Sequence, residues 1–204
     1  LDYSFLISFN SWGVMTSLTY PDDVSSLADY IEQVFTQFAE KPAYTALGQT
    51  LTFSQVEVHS RAFASYLRHH TGLNPGDRIA IQLPNLIQNP IAVYGALRAG
   101  LVVVNTNPLY TEREMKHQFT DSGAKALVIL SDLLPKFEAI KADTDIETVI
   151  TTSATELLDT DSAPAIEGTV SLSEVLSEGN SQTLPPRPQT GLDDLCMLQY
   201  TGGT

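Results

Sequence analysis

The sequence has 204 residues, 43% of them hydrophobic and 17% charged, which is enough apolar material for one packed core. A net charge of −13 argues against a nucleic-acid binder. One cysteine, Cys196, excludes an internal disulfide framework, suits a reducing compartment and reads as a small core residue.

The charge is unevenly spread. Residues 1–40 hold six acids and no Lys or Arg, and residues 142–204 hold eleven acids and one base, Arg187. The acidic last third reads as a solvated face or loop. Leu1 to Met15 lacks the basic stretch of a secretory signal. Residues 1–19 are an unassigned leader, and 1–14, ahead of the first Met, read as translated leader. No segment reaches the ~18 apolar residues of a membrane span.

Leu27, Tyr30, Ile31, Val34, Phe35 and Phe38 fall at helical spacing and predict an amphipathic helix over 25–39. Ala43 to Leu47 and Thr50 to Phe53 flank Gly48-Gln49 and predict a hairpin. Ser54-x-x-Glu57 spells a capping box that opens a helix to about His70, with Gly72 placed to end it. The turn Asn74-Pro75-Gly76-Asp77 leads into a strand from Arg78 to Leu83. Asn89-Pro90 suits an N-cap and first helical residue, and Gly100 the end of that helix. Leu101 to Val104 is an all-apolar strand of the kind buried on both faces. Thr111-x-x-Glu114 is a second capping box, and Gly123 a stop. Ala126 to Leu130, a helix near 133–141 and a strand near 148–151 continue the alternation.

This order predicts an α/β fold: a doubly wound, largely parallel sheet with flanking helices. Residues 20–204 form one unit, in which 152–193, rich in Ser, Thr, Asp and Pro, is a long surface connection with a short helix near 172–177. Leu195 to Tyr200 is a last apolar run. Thr201-Gly202-Gly203-Thr204 follows it and sets two glycines between two hydroxyls. Glycine lets backbone approach a ligand, and successive N–H groups in such a turn converge on an anion. Four residues alone are a weak signal, and a Gly-Gly pair after a strand is more often just a turn. Because Thr204 is the last residue, the chain reads as an incomplete N-terminal part that stops inside the loop.

Other chemistries lack their residues. No G-x-x-x-x-G-K-[ST], G-x-G-x-x-G or G-x-S-x-G occurs. His59, His69, His70 and His117 have no metal-ligand spacing, so no metal site is expected. Arg98 and Asn105 read as a helix terminus and a strand end, and Asp193-Asp194 as a solvated pair.

Leu51-Thr-Phe-Ser-Gln-Val56, Leu97-Arg-Ala-Gly-Leu-Val-Val-Val-Asn105 and Leu198-Gln-Tyr-Thr-Gly-Gly-Thr204 resemble the first three core motifs of the acyl-adenylate-forming, AMP-binding superfamily. Within it, Ser60-Arg-Ala-Phe-Ala-Ser-Tyr-Leu67, Gly76-Asp-Arg-Ile-Ala80, Leu83-Pro-Asn-Leu86 and Asn107-Pro-Leu-Tyr-Thr111 resemble the bacterial long-chain fatty-acid–CoA ligases. Gly202-Gly203, where most relatives have Ser-Gly, favours the fatty-acyl branch. The resemblance covers roughly residues 20–204.

That resemblance implies a ligase that uses ATP to activate a long-chain fatty acid as acyl-AMP, with Mg²⁺ at the phosphates, and then transfers the acyl group to coenzyme A. It implies that Thr201, Gly202, Gly203 and Thr204 hold the ATP phosphates, with Tyr200 opening the motif. The metal-binding acid and catalytic lysine of the family lie beyond Thr204, so no catalytic residue is expected here and the 204 residues alone should be inactive. It implies a cytoplasmic enzyme and leaves room for peripheral association with the inner membrane and for a homodimer. Two alternatives stay open: another acyl- or aryl-CoA ligase of the superfamily, and a non-catalytic α/β binding module.

Overall fold

In the computed structural model, residues 8–9, 15–17, 24–157 and 166–201 are described. The leader reading of residues 1–14 falls mostly outside them. β1 (Ser8–Phe9) and β2 (Met15–Ser17) form a small antiparallel pair.

α1 (Leu27–Gln37) is capped by Ser26, whose hydroxyl accepts from the Asp29 N–H, and it buries Ala28 and Phe35. β3 (Pro42–Ala46) and β4 (Gln49–Thr52) make the expected hairpin, but its turn is Leu47-Gly48. Ala46 pairs with Gln49, which leaves a two-residue loop, and both loop residues take positive φ (51° and 82°), as a type I′ turn requires. α2 (Phe53–His70) opens on a capping box two residues earlier than expected, Thr52 with Gln55. The hairpin register ends β4 at Thr52, so Phe53 is already helical; Glu57 turns instead to Arg98 and Arg61. Gly72 is not a left-handed stop. Thr71 ends the helix in extended conformation, its hydroxyl donating to the Leu67 carbonyl at 2.6 Å.

β5 (Arg78–Gln82) leads to α3 (Gln88–Arg98), which starts one residue before Asn89 and has no side-chain cap. The Asn89 amide donates to the Leu83 carbonyl rather than capping, and Pro90 sits within the first turn, where no N–H is needed. β6 (Val102–Asn105) precedes α4 (Glu112–Ser122), which has the expected Thr111/Glu114 box and the expected left-handed Gly123 (φ 61°). After β7 (Ala124–Leu130) the helix expected over 133–141 is broken into α5 (Leu134–Glu138) between two 3₁₀ turns. Leu134, Phe137 and Ile140 are its buried residues, and a spacing of three suits the tighter 3₁₀ winding.

β8 (Thr148–Thr152) follows. The stretch expected as a surface connection holds β9 (Val170–Ser171) and, where a short helix is expected near 172–177, α6 (Leu172–Asn180), which buries Leu172, Val175, Leu176 and Gly179. β10 (Met197–Gln199) is shorter than the 195–200 run that predicts it.

Six strands form one sheet in the order β10-β6-β5-β7-β8-β9, and every described pairing in it is parallel. Both faces are covered, which is why its strands are continuous apolar runs rather than alternating ones. Ile79, Ile81, Val103, Val128 and Ile150 face the layer of α2, α3 and α6. Ala80, Val104, Leu127, Ile129 and Val149 face Met115 and Phe119 of α4 and Phe137 of α5. The sheet grows from β5 in both directions. β5 continues through α3 to β6 on one side, and β6 returns through α4 to β7 on the other. The loops after β5 and β6 therefore leave toward opposite faces, which opens a crevice at the carboxyl ends of these strands, the position where open α/β sheets bind ligands.

Candidate functional site at the carboxyl ends of the strands

Three buried glutamines fix the loops at this end of the sheet. Gln82, the last residue of β5, donates its amide to the Asn107 carbonyl at 3.2 Å. Gln118, on the sheet-facing side of α4, donates to the Asn105 carbonyl at 3.1 Å. Gln88, opening α3, donates to the Ser153 and Glu156 carbonyls at 3.0 and 2.8 Å and so holds the loop after β8. Each amide nitrogen meets a carbonyl, an acceptor only, which settles which end of the amide points where. In all three the side-chain oxygen has no partner among the described residues. The bonds from these amides to the Asn107, Asn105, Ser153 and Glu156 carbonyls hold the loops after β5, β6 and β8 in place.

β10 lies beside β6 at the sheet edge, with Gln199 opposite Asn105. The Asn105 amide donates to Gln199 Oε1 at 2.7 Å, and the Gln199 amide donates to the Tyr200 carbonyl at 3.2 Å. The Tyr200 ring packs on the α4 side of the core, and its hydroxyl donates to Asp121 Oδ2 at 2.6 Å. Partial burial, and then the Asp121 carboxylate accepting its proton, push the phenol up to about 12. Thr201 follows and is exposed. Of the five residues expected to meet the phosphates, Tyr200 and Thr201 are thus described, while Gly202, Gly203 and Thr204 lie outside the described residues.

Two residues read from sequence as a helix terminus and a strand end have specific partners. Arg98 is buried and donates to Glu32, Glu57, the Glu57 carbonyl and the Ser60 hydroxyl at 2.9–3.1 Å, tying α1, α2 and α3 together. Arg187 adds a bond to Glu32 at 2.9 Å and anchors the segment that runs from α6 to β10. Asn105 is the link to Gln199. Two of the histidines have defined contacts: His70 stacks on Tyr66, and His69 bonds the Thr183 carbonyl. Asp194 closes a turn by accepting from the Gly191 N–H at 2.7 Å.

Two clefts flank these elements. One of about 270 Å³ lies between the hairpin and the start of α3, where the Tyr44 and Tyr94 hydroxyls bond one another. The other, of about 590 Å³, lies at the amino ends of β5 and β6, against Gly76, Gly100, Leu195 and Tyr200, and so at the end of the sheet away from the crevice. Among the described residues no group of three or more His, Cys, Asp or Glu could hold a metal ion. No described helix is long and apolar enough to cross a membrane.

Residues 31–204 match the family described as AMP-binding enzyme. The chain is 38% identical over 200 residues to a long-chain-fatty-acid–CoA ligase of Salmonella typhimurium, an alignment covering 90% of this chain and 36% of that protein. The chain thus spans about a third of the length of the curated relatives it matches. A long-chain-fatty-acid–CoA ligase from Archaeoglobus fulgidus shares the fold with a TM-score of 0.74 at 26% identity, covering 100% of this chain and 38% of that one. An anthranilate CoA ligase solved with anthranoyl-AMP does so with a TM-score of 0.76 at 20% identity, covering 90% of this chain and 33% of the other.

Proposed function

The chain belongs to the AMP-binding enzyme family, and from that membership we propose that it is the amino-terminal part of an ATP-dependent long-chain fatty-acid–CoA ligase. The observation that carries the substrate class is the 38% identity to a ligase named for long-chain fatty acids. The anthranilate CoA ligase, at 20% identity, supports the fold alone.

In this reading a fatty-acid carboxylate oxygen attacks the α-phosphorus of ATP, the bond to pyrophosphate breaks, and acyl-AMP forms. The thiolate of coenzyme A then attacks the acyl carbon, and the carbon–oxygen bond to AMP breaks. Negative charge gathers on phosphate oxygens in the first step, where oriented donors lower the barrier. The backbone and hydroxyls from Thr201 to Thr204 are the proposed donors. What supports this placement is an exposed Thr201 at the carboxyl end of β10, with the Tyr200 ring turned away onto α4. Mg²⁺ fits such a site without a protein cage, since it takes most of its ligands from phosphate and water. We extend the reading to a cytoplasmic enzyme that meets the inner membrane peripherally, where a long acyl chain partitions, and that forms a homodimer.

The test is ATP–pyrophosphate exchange by the full-length protein with palmitate, 4-coumarate and benzoate. Exchange with palmitate well above the aryl acids is expected, and preference for an aryl acid would move the protein to another branch. Gly203→Val should lower exchange by roughly two orders of magnitude or more, the scale of losing an oriented donor to a developing charge. Thioester formation from supplied acyl-adenylate should change little. Equal loss in both half-reactions would remove the phosphate role from this loop.

A further inference from the structure

A continuous run of side-chain hydrogen bonds ends on the peptide that opens the glycine loop. Gln118 Nε2 donates to the Asn105 carbonyl, Asn105 Nδ2 to Gln199 Oε1, and Gln199 Nε2 to the Tyr200 carbonyl. The last bond fixes Gln199's orientation, because the flipped amide would set oxygen against a carbonyl oxygen. With Oε1 then facing β6, only a donor serves there, and Asn105 supplies it.

The Tyr200 carbonyl and the Thr201 N–H belong to one planar peptide unit, and no cis peptide occurs among the described residues. In a trans peptide the two point in opposite directions. Holding the carbonyl toward Gln199 therefore aims the Thr201 N–H the other way. α4 holds this unit twice, through the relay from Gln118 and through Asp121, which accepts from the Tyr200 hydroxyl at 2.6 Å. Neither Asn105 nor Gln199 is buried. A bond between exposed side chains contributes little to folding, so stability alone gives a weak reason for an amide at either position.

We propose that Gln199 and Asn105, backed by Gln118, are positioning residues that orient the Thr201 N–H toward the nucleotide phosphates. The inference rests on the functional reading above and adds to it the residues that set the loop's first donor. They act through the peptide and touch no reacting atom.

The experiment uses the full-length protein with Gln199→Leu, which removes both of its bonds at nearly constant volume, and Asn105→Asp, which replaces the donor with an acceptor. Each should lower kcat/KM for ATP in pyrophosphate exchange by ~10–100-fold, since a misplacement of about 1 Å costs up to about a hundredfold. The KM for fatty acid and the rate of thioester formation from supplied acyl-adenylate should stay within ~2-fold, and the melting temperature within ~2 °C, as surface changes do. The double variant should lose no more than either single one, because both break one relay. Equal loss in both half-reactions, a large fall in melting temperature, or additive losses would overturn the relay. Gly203→Val separates the two ideas. If it abolishes adenylation while the relay variants are normal, the relay is wrong and the functional reading stands. If it too is harmless, the phosphate loop and the relay fall together.

Discussion

Gly100 and Gly123 each end a helix with positive φ, 82° and 61°, and each precedes a strand of the central sheet. Alanine at either position must hold a left-handed conformation, at a cost of roughly 1–2 kcal/mol. Their surroundings differ. A Cβ at Gly100 would lie 2.8 Å from Cγ and 3.1 Å from Cβ of Pro188, a rigid ring on the segment that carries the chain from α6 to β10. A Cβ at Gly123 would lie 2.7 Å from Nη2 of Arg78, the far end of a flexible side chain. Overpacking against an unyielding neighbour adds roughly 1–3 kcal/mol. Gly100→Ala should therefore cost about 2 kcal/mol more than Gly123→Ala, or ~4–8 °C in melting temperature for a chain of this size. Pro188 and Arg187 are adjacent, so the displaced segment should also loosen β10, whose pairing with β6 includes the bond from the Val103 N–H to the Cys196 carbonyl at 3.0 Å. Urea or thermal melts of both variants, with hydrogen exchange at Val103, test this. Equal destabilisation, or unchanged exchange at Val103 in Gly100→Ala, would show that Pro188 yields and that the segment does not set β10.

Leu47 is 62% exposed and holds φ of 51° in a type I′ turn, where a branched apolar side chain gains no burial. Leu47→Asn should stabilise the hairpin by about 0.5–1 kcal/mol, seen as a melting temperature higher by a few degrees. Burial pushes the Asp77 carboxyl up, yet the Lys125 ammonium at 2.7 Å and the Asn74 N–H outweigh it and hold the group below 3.8. A depressed carboxyl contributes stability above its unfolded value and loses it as pH falls through the folded one. Asp77→Asn should thus lower the melting temperature at pH 7, with the difference from the parent shrinking below a pH of about 4.

The parts of the fold written in local pattern were legible. Thr111 and Glu114 spell a capping box, Gly123 a stop, and the runs around 79–82, 102–104 and 126–130 strands buried on both faces. Where two local patterns compete, the sequence does not choose between them. Ser54-x-x-Glu57 and Thr52-x-x-Gln55 both spell a box, and the choice falls to the pairing of Pro42 with Thr52 across the hairpin. The site was half legible. The proposed phosphate loop is a local pattern of four residues, Thr201-Gly202-Gly203-Thr204, whereas the glutamines near it belong to no such pattern. Gln82, Gln88 and Gln118 bond backbone carbonyls 25, 65 and 13 residues away, and a carbonyl leaves no mark in a sequence. The signal available was weaker: Gln118 stands between Met115 and Phe119 on the apolar face of α4, where a polar side chain needs a partner. Arg98 gave a similar hint, but its carboxylates, Glu32 and Glu57, come from helices 66 and 41 residues away.

The acidic last third shows how composition misleads when a buried element is short. Ser, Thr, Asp and Pro dominate 152–193, and a solvated connection follows from that average. Yet Leu172, Val175, Leu176 and Gly179 stand at i, i+3, i+4 and i+7, one face of a helix. Gly179 belongs to that face because nothing larger fits: a Cβ there would lie 1.9 Å from the Ala62 carbonyl oxygen, so α6 crosses α2 with backbone against backbone. This contact fixes where α6 ends, and the chain from there passes the Arg187 anchor to β10. The position of the proposed phosphate loop therefore depends on a nine-residue helix that the sequence marks near 172–177 but whose burial its polar neighbours conceal.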